Sequence, residues 1–414
     1  MKTPHRLDQH TSFWVSAAVV AHTLWTSAAP ALTYPLYAAQ WQLTPTTTTS
    51  VFAIYPAVVV AVLLLFGNIS DYWGRRNAML LGLAASLLGT LLFALAPNIS
   101  WIFAGRIFMG IGVGLAAGPA TAAMIEFNPT SAAAYSSTMN AAAQALGWGA
   151  ATLIGGALIQ YAPFPTRLNF WLLSVVIAAI FAVAWFLPGH GDGALRQRWH
   201  PGSIGVPKGI ALVFATSALV VASAYALGAV TLSLGAQIAK DLIGSTNAFI
   251  NGATISLFAI SSGLTTIAAG NFTIRAKIAF GTLASVVGLF FLMLSASTHS
   301  LAFFLASSAS TGFAYSLLFR GGLALMTDHT PAERRAGTLS AIYLVAYLVM
   351  GSIALSLGVL ATAWGLKVAV EIGCLTIATM SVAGLLLTYS IKRGSPQLES
   401  TRPATRAEAT ATTK

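Results

Sequence analysis

Charge is scarce in this chain: 7% of its 414 residues are charged, against 57% hydrophobic. Soluble globular domains carry about 25% charged residues. So few charges cannot keep a chain of this size dispersed in water, which excludes a soluble enzyme or binding domain and leaves an integral membrane protein. Cysteine is nearly missing too. Cys374 stands alone inside an apolar run, so no intrachain disulfide can form and it reads as a packed thiol. No zinc-type cluster, phosphate-cradling loop or hydrolytic triad is visible. No metal or cofactor is expected, and an ATP-driven pump and an embedded enzyme are both disfavoured. The net charge of +11 could suggest nucleic acid. Its distribution argues otherwise, because the cations sit in short gaps between apolar runs and in the two tails.

What is present in quantity is apolar sequence. A helix needs about 20 apolar residues to cross a bilayer. Twelve such runs lie near 12–37, 47–69, 77–96, 100–125, 137–160, 168–187, 208–234, 247–269, 277–296, 300–326, 337–361 and 364–390. The expected fold is an all-α membrane protein of twelve transmembrane helices. The first run follows Lys2 and Arg6 and contains a cleavable-looking SAAPA. Its apolar character continues to Tyr37, so it is read as a retained span rather than a signal peptide.

The cations fix an orientation. With a cytoplasmic N-terminus, the inner side carries Lys2, Arg6, Arg75, Arg76, Arg196, Arg198, Lys208, Arg275, Lys277, Arg334, Arg335 and the basic tail. The outer side holds Arg167, Lys240 and Lys367. This bias predicts that both termini are cytoplasmic.

The segment 188–208, rich in Pro, Gly and mixed charge, reads as a cytoplasmic linker. It separates a six-helix bundle over 1–187 from a second over 209–391, and a polar, low-complexity tail over 392–414 is expected to be disordered. A shift of 202 residues superposes Met124 on Met326, Glu126 on Asp328 and Pro129 on Pro331. Two pseudo-symmetric bundles of one orientation imply parallel repeats, with a substrate site between them near the midplane.

Between the second and third runs the chain reads GNISDYWGRR, Gly67 to Arg76. Orientation charge accounts for Arg75 and Arg76. It does not account for Asp71 or for the flanking Gly67 and Gly74, since acids add little to orientation. A glycine, an acid four residues on, then glycine and paired basic residues resembles the signature of the major facilitator superfamily. The resemblance implies two six-helix bundles and transport by alternating access. It also implies that Arg75 pairs with Glu126, that Asp71 faces the start of the eleventh span, and that these residues, with Asp328 at the repeat-related position, latch the cytoplasmic side. Gly67 is expected to let the second span approach a neighbour closely.

Few ionisable groups lie within the runs. Arg106 begins GRIFMGIGVGLAAGP, and a charge there must face the interior, water or a partner. The family carries a similar arginine tied to coupling or substrate, so Arg106 is a functional candidate. Its glycines, Gly110, Gly112, Gly114 and Gly118, are read as close-packing positions. His22, Arg320 and Glu371 are further coupling or substrate candidates. Lys367 and Glu371 are four apart and are expected to pair. GWGAATLIGG in the fifth run resembles the family's antiporter motif, with Ala151-Thr152 where Gly-Pro is expected. The first and seventh runs lack the acid common in the drug:proton branch. Trp25, Tyr34, Tyr55, Asn140, Gln144, Trp148, Tyr225, Gln237, Asn251, Tyr315, Tyr343 and Tyr347 are candidates to complete a cavity. If Arg106 and Arg320 both line it, the cavity is positive and suits a small organic acid.

The first reading is proton-coupled efflux of drug-like or metabolite molecules by a monomeric antiporter of the bacterial inner membrane. Its partners are a small organic solute, protons and the lipid bilayer, with no nucleic acid. The alternative is proton-coupled uptake of a small organic acid, aromatic acids included. A transporter-like sensor that no longer transports is a reading of another class.

Overall fold

The computed structural model describes residues 6–130, 132–189, 205–206, 209–270, 272–331 and 334–391. These form α1 (Gln9–Ala28), α2 (Tyr34–Trp41), α3 (Pro45–Phe66), α4 (Ile69–Trp73), α5 (Arg75–Leu95), α6 (Ile99–Glu126), α7 (Ala133–Tyr161) and α8 (Leu168–Ala184). They continue as α9 (Ala211–Ser233), α10 (Gly235–Gln237), α11 (Ala248–Ala268), α12 (Ile274–Thr298), α13 (Leu301–Asp328), α14 (Arg335–Trp364) and α15 (Leu366–Ser390). A π-helical turn, Ile238–Leu242, follows α10. No strand occurs among the described residues. Backbone polar groups have no water to bond in hydrocarbon, so helices satisfy them internally.

Ten of these helices are long and apolar enough to cross a membrane. The first and sixth apolar runs correspond to α1, which has 20 residues and several Ser, Thr and His, and to α8, which has 17. The first run is not the unbroken span expected over 12–37. α1 stops at Ala28, the chain turns through Pro30, and α2 restarts with Pro35 in its first turn. Pro30 has no amide hydrogen to continue the helix. Its carbonyl instead accepts from the Thr33 amide at 3.0 Å and the Thr33 hydroxyl at 2.9 Å. The stretch 67–76 is likewise not a bare turn, because α4 lies within it.

Local chemistry sets several helix starts. The side chains of Thr44, Asn98, Asn247 and Thr273 each accept a backbone N–H of the first turn of α3, α6, α11 and α12. Such caps satisfy amides that have no partner within the helix. Small residues then set the distance between helices. A Cβ on Gly112 of α6 would lie 2.6 Å from the Gly82 carbonyl oxygen of α5. Gly110 and Gly114 meet Val58 and Val62 of α3 in the same way, whereas Gly118 meets nothing. Trp101, Trp171 and Trp364 lie exposed at the ends of α6, α8 and α14 opposite Arg75, where an interfacial belt would sit.

The helices pack as two groups, α1 with α3 and α5–α8, and α9 with α11–α15. The groups meet along two seams, α3 against α14 and α7 against α11. α9 is the most enclosed of the ten long apolar helices. Most of the expected linker and all of the expected tail over 392–414 lie outside the described residues.

Candidate transport cavity and gates

Between the two groups lies a cavity of about 400 Å³. Its wall on one side is α7, where Asn140, Gln144 and Trp148 recur every four residues and so share one helix face. Thr121 of α6 donates its hydroxyl to Asn140 Oδ1 at 3.1 Å, which fixes that amide. The facing wall is α11, α13 and α14, with Ser262, Thr266, Tyr315, Phe319, Arg320 and Tyr343. Arg320 is the one charged residue of the lining. Its guanidinium is half-buried and donates to the Thr266 carbonyl oxygen, and the Thr266 and Ser316 hydroxyls bond each other at 2.7 Å.

Apart from Leu24 of α1, the lining belongs to the halves of α6, α7, α11, α13 and α14 nearer Arg75, here called the basic end. Towards the middle of the molecule the cavity is stopped by aromatic rings. The Trp148 and Phe258 centroids are 4.9 Å apart, and Tyr315 lies 5.5 Å from Phe258. Tyr225 and Tyr347 pack behind them, 5.0 Å apart edge to face.

Beyond these rings both seams are closed. On the α3–α14 seam, the Thr46 and Thr362 hydroxyls lie 2.8 Å apart, and Thr46 also donates to the Gly358 carbonyl at 3.2 Å. On the α7–α11 seam, Gln160 Oε1 accepts the Ala248 amide at 2.8 Å, and the Thr152 and Ser256 hydroxyls lie 2.7 Å apart. A Cβ on Gly156 would lie 2.6 Å from the Ala248 carbonyl, so the helices touch backbone to backbone. GWGAATLIGG therefore packs in two directions: Gly147 against Ala21 of α1, and Gly156 against α11.

At the basic end, Arg75 donates to Glu126 and, at 3.1 Å, to the Ala122 carbonyl, and so grips the last turn of α6. Arg76 lies over the Trp185 ring at 5.7 Å, and Arg275 of α12 lies over Tyr389 at the same distance. Gly74 joins α4 to α5 at φ +83°, a conformation costly for any residue with a Cβ. Asp71 is exposed, and its carboxylate forms no ion pair with a described residue. Asp328 ends α13, exposed, and forms no ion pair with a described residue. Gly67 does not mark a close helix approach. The atoms nearest to its Cβ position belong to Leu63, one turn back on the same helix.

Several other candidates fall away from the cavity. His22 is packed between α1 and α5, its ring nitrogens 2.6 Å from the Val19 carbonyl and 3.2 Å from the Ser86 hydroxyl. Asn251 donates to the Ser245 carbonyl at 3.1 Å and ties down the turn before α11. Gln237 sits in α10, near the sealed end. Trp25 is half-buried on α1, and neither it nor Tyr34 nor Tyr55 reaches the lining. Lys367 and Glu371 do not form the pair their spacing suggested. Lys367 lies exposed in the first turn of α15, where a long ammonium side chain reaches water instead. Glu371 stays on α15, off the lining.

Arg106 does not line the cavity either. It is fully buried within the first helix group, donates to the Ser27 carbonyl at 3.2 Å, and lies 4.6 Å from the Tyr55 ring centroid and 5.7 Å from that of Phe52. The polar lining residues not anticipated from sequence are small hydroxyls: Thr121, Ser137, Ser262, Thr266 and Ser316.

A bundle of apolar helices enclosing a central cavity, closed at one end along two seams, defines a multi-pass membrane transporter. The sequence model described as Major Facilitator Superfamily matches residues 14–355, and the chain belongs to that family. It is a transporter rather than an enzyme. The chain is 28% identical over 165 residues to the multidrug efflux pump LfrA of Mycolicibacterium smegmatis, covering 38% of this chain and 32% of that protein. It is 23% identical over 156 residues to the riboflavin transporter RibZ of Clostridioides difficile, covering 37% and 34%. The chain thus matches about a third of the length of these two relatives. Among solved structures, it resembles the nucleoside transporter NupG with a TM-score of 0.74 at 10% identity, covering 92% of this chain and 100% of that one. It also resembles an inward-facing, unoccupied bacterial homolog of the human lysosomal transporter Spinster, with a TM-score of 0.70 at 14% identity, covering 92% and 97%. At these identities the structural likeness concerns the fold alone.

Proposed function

We propose that the protein is a secondary active transporter that exports a small drug-like or metabolite molecule by alternating access, in exchange for protons. One observation carries the reading: the cavity lies toward the basic end, while the other end is closed along both seams. Cations collect on the cytoplasmic side of membrane proteins. The basic end is then cytoplasmic, with both termini on that side of the bacterial inner membrane, and this conformation loads from within. The partial antiporter motif and the likeness to a multidrug efflux pump support export. In the opposite conformation Asp71 would meet the start of α14 and, with the Arg75–Glu126 pair, latch the basic end.

A second reading is proton-coupled uptake of a small organic acid. Arg320 favours it, since the lining carries one charge and that charge is positive. Purified protein in vesicles, with a proton gradient acid on the side opposite the basic end, separates the two. Solute driven towards that acidic side supports export. Accumulation on the basic-end side supports uptake, and flux indifferent to the gradient overturns proton coupling.

A further inference from the structure

Arg106 forms no ion pair with any carboxylate of the described residues. Its nearest carboxylate along the chain is Glu126, twenty residues further on α6, or about 30 Å at 1.5 Å per residue. The first helix group has no other acids than Asp8 and Asp71, and Asp8 precedes α1 while Asp71 lies in α4, both at the basic end. Arg106 sits in the half of α6 towards the sealed end.

The guanidinium is also short of acceptors. Ser27 takes one N–H, while Nε and Nη2 are buried without a partner. The Tyr55 and Phe52 faces attract the cation but accept no conventional hydrogen bond. The buried Tyr34 hydroxyl interacts with Arg106. Buried charges are ordinarily paired and their N–H groups satisfied. Here two guanidinium nitrogens of a fully buried cation lack an acceptor, a composition that calls for one bearing negative charge.

We propose that Arg106, with the Tyr34 hydroxyl, holds a small monovalent anion of the halide class as a resident counter-ion between α1, α2, α3 and α6. The site is separate from the transport cavity, whose lining does not include Arg106. The anion accepts from Nε, Nη2 and the tyrosine O–H, and neutralises a charge that the bilayer interior penalises.

The test uses the full-length protein in detergent. Thermal unfolding is followed in sodium chloride, bromide and gluconate at equal ionic strength, because a ligand bound only by the folded state raises the midpoint. The expected result is a saturable rise in midpoint with chloride and bromide over gluconate. The rise should vanish in Arg106→Gln, shrink in Tyr34→Phe and persist in Arg320→Gln. Crystals grown in bromide should show anomalous density beside Arg106, a measurement that needs no variant to fold. Equal midpoints in the three salts, a chloride increment retained in Arg106→Gln or lost in Arg320→Gln, or no bromide peak beside Arg106 would each overturn the proposal.

Discussion

Thr46 and Thr362 meet hydroxyl to hydroxyl at 2.8 Å, although 316 positions separate them in the chain. Each belongs to a different helix group, and the contact exists only while the end opposite Arg75 is closed. Cysteines at both positions should therefore form a disulfide under mild oxidation. Transport should fall to background in Thr46→Cys/Thr362→Cys and return on reduction. The single native cysteine, Cys374, is buried and should not interfere. A crosslinked protein that still transports would show that this seam need not part.

The α7–α11 seam offers a steric counterpart. A Cβ on Gly252 would collide with the Thr152 carbonyl and stand 3.1 Å from Gly156 Cα. Gly252→Val should pry this end open. A cysteine placed at Thr152 should then react faster with a membrane-impermeant thiol reagent added at the sealed end, and transport should drop several-fold.

Arg320 is the charge a solute would meet in the cavity. A hydrogen bond to a charged group contributes about 1.5–3 kcal/mol, or roughly 10- to 150-fold in affinity. Arg320→Gln should raise the half-saturating concentration of anionic solutes by that order and leave neutral solutes unchanged. Flux assays on a charged and neutral pair of one aromatic scaffold would measure the ratio, and a ratio unmoved by the substitution would remove Arg320 from recognition.

Asp71 is exposed and forms no ion pair with a described residue here, so replacing its carboxylate should leave this conformation and membrane insertion intact. Asp71→Asn should nonetheless cut transport, because the opposite conformation loses its carboxylate. Gly74→Ala tests the same loop through its backbone. At φ +83° and ψ 148° an alanine costs about 1–3 kcal/mol. It should lower the thermal midpoint, which Asp71→Asn should not. An Asp71→Asn protein of full activity would refute the latch.

Hydropathy carried most of the architecture, because a bilayer demands long apolar helices and leaves few alternatives. It could not show the break at Pro30, where apolar sequence continues through a turn that only the proline betrays. Of the cavity, Asn140, Gln144, Trp148, Tyr315, Tyr343 and Arg320 were legible because amides, rings and charges are conspicuous in apolar sequence. The hydroxyls of Thr121, Ser262 and Thr266 were not, since Ser and Thr also serve as small packing residues in such helices. Tyr34, Tyr55 and Arg106 were conspicuous for the same reason as the cavity residues, yet they pack against one another away from the cavity lining. Sequence spacing does not say which face of a helix meets the partner group.

Three of the four hydroxyls that join the seams are also bonded within their own helices. Thr362 donates to the Gly358 carbonyl at 2.9 Å, Ser256 to the Gly252 carbonyl at 2.8 Å, and Thr152 to the Trp148 carbonyl at 3.2 Å. When the groups separate, each of these three keeps its local acceptor, whereas Thr46, in the first turn of α3, gives up both of its partners, Thr362 and the Gly358 carbonyl. The closure behaves as a reusable fastener: cheap to undo, and made again without rearranging either side.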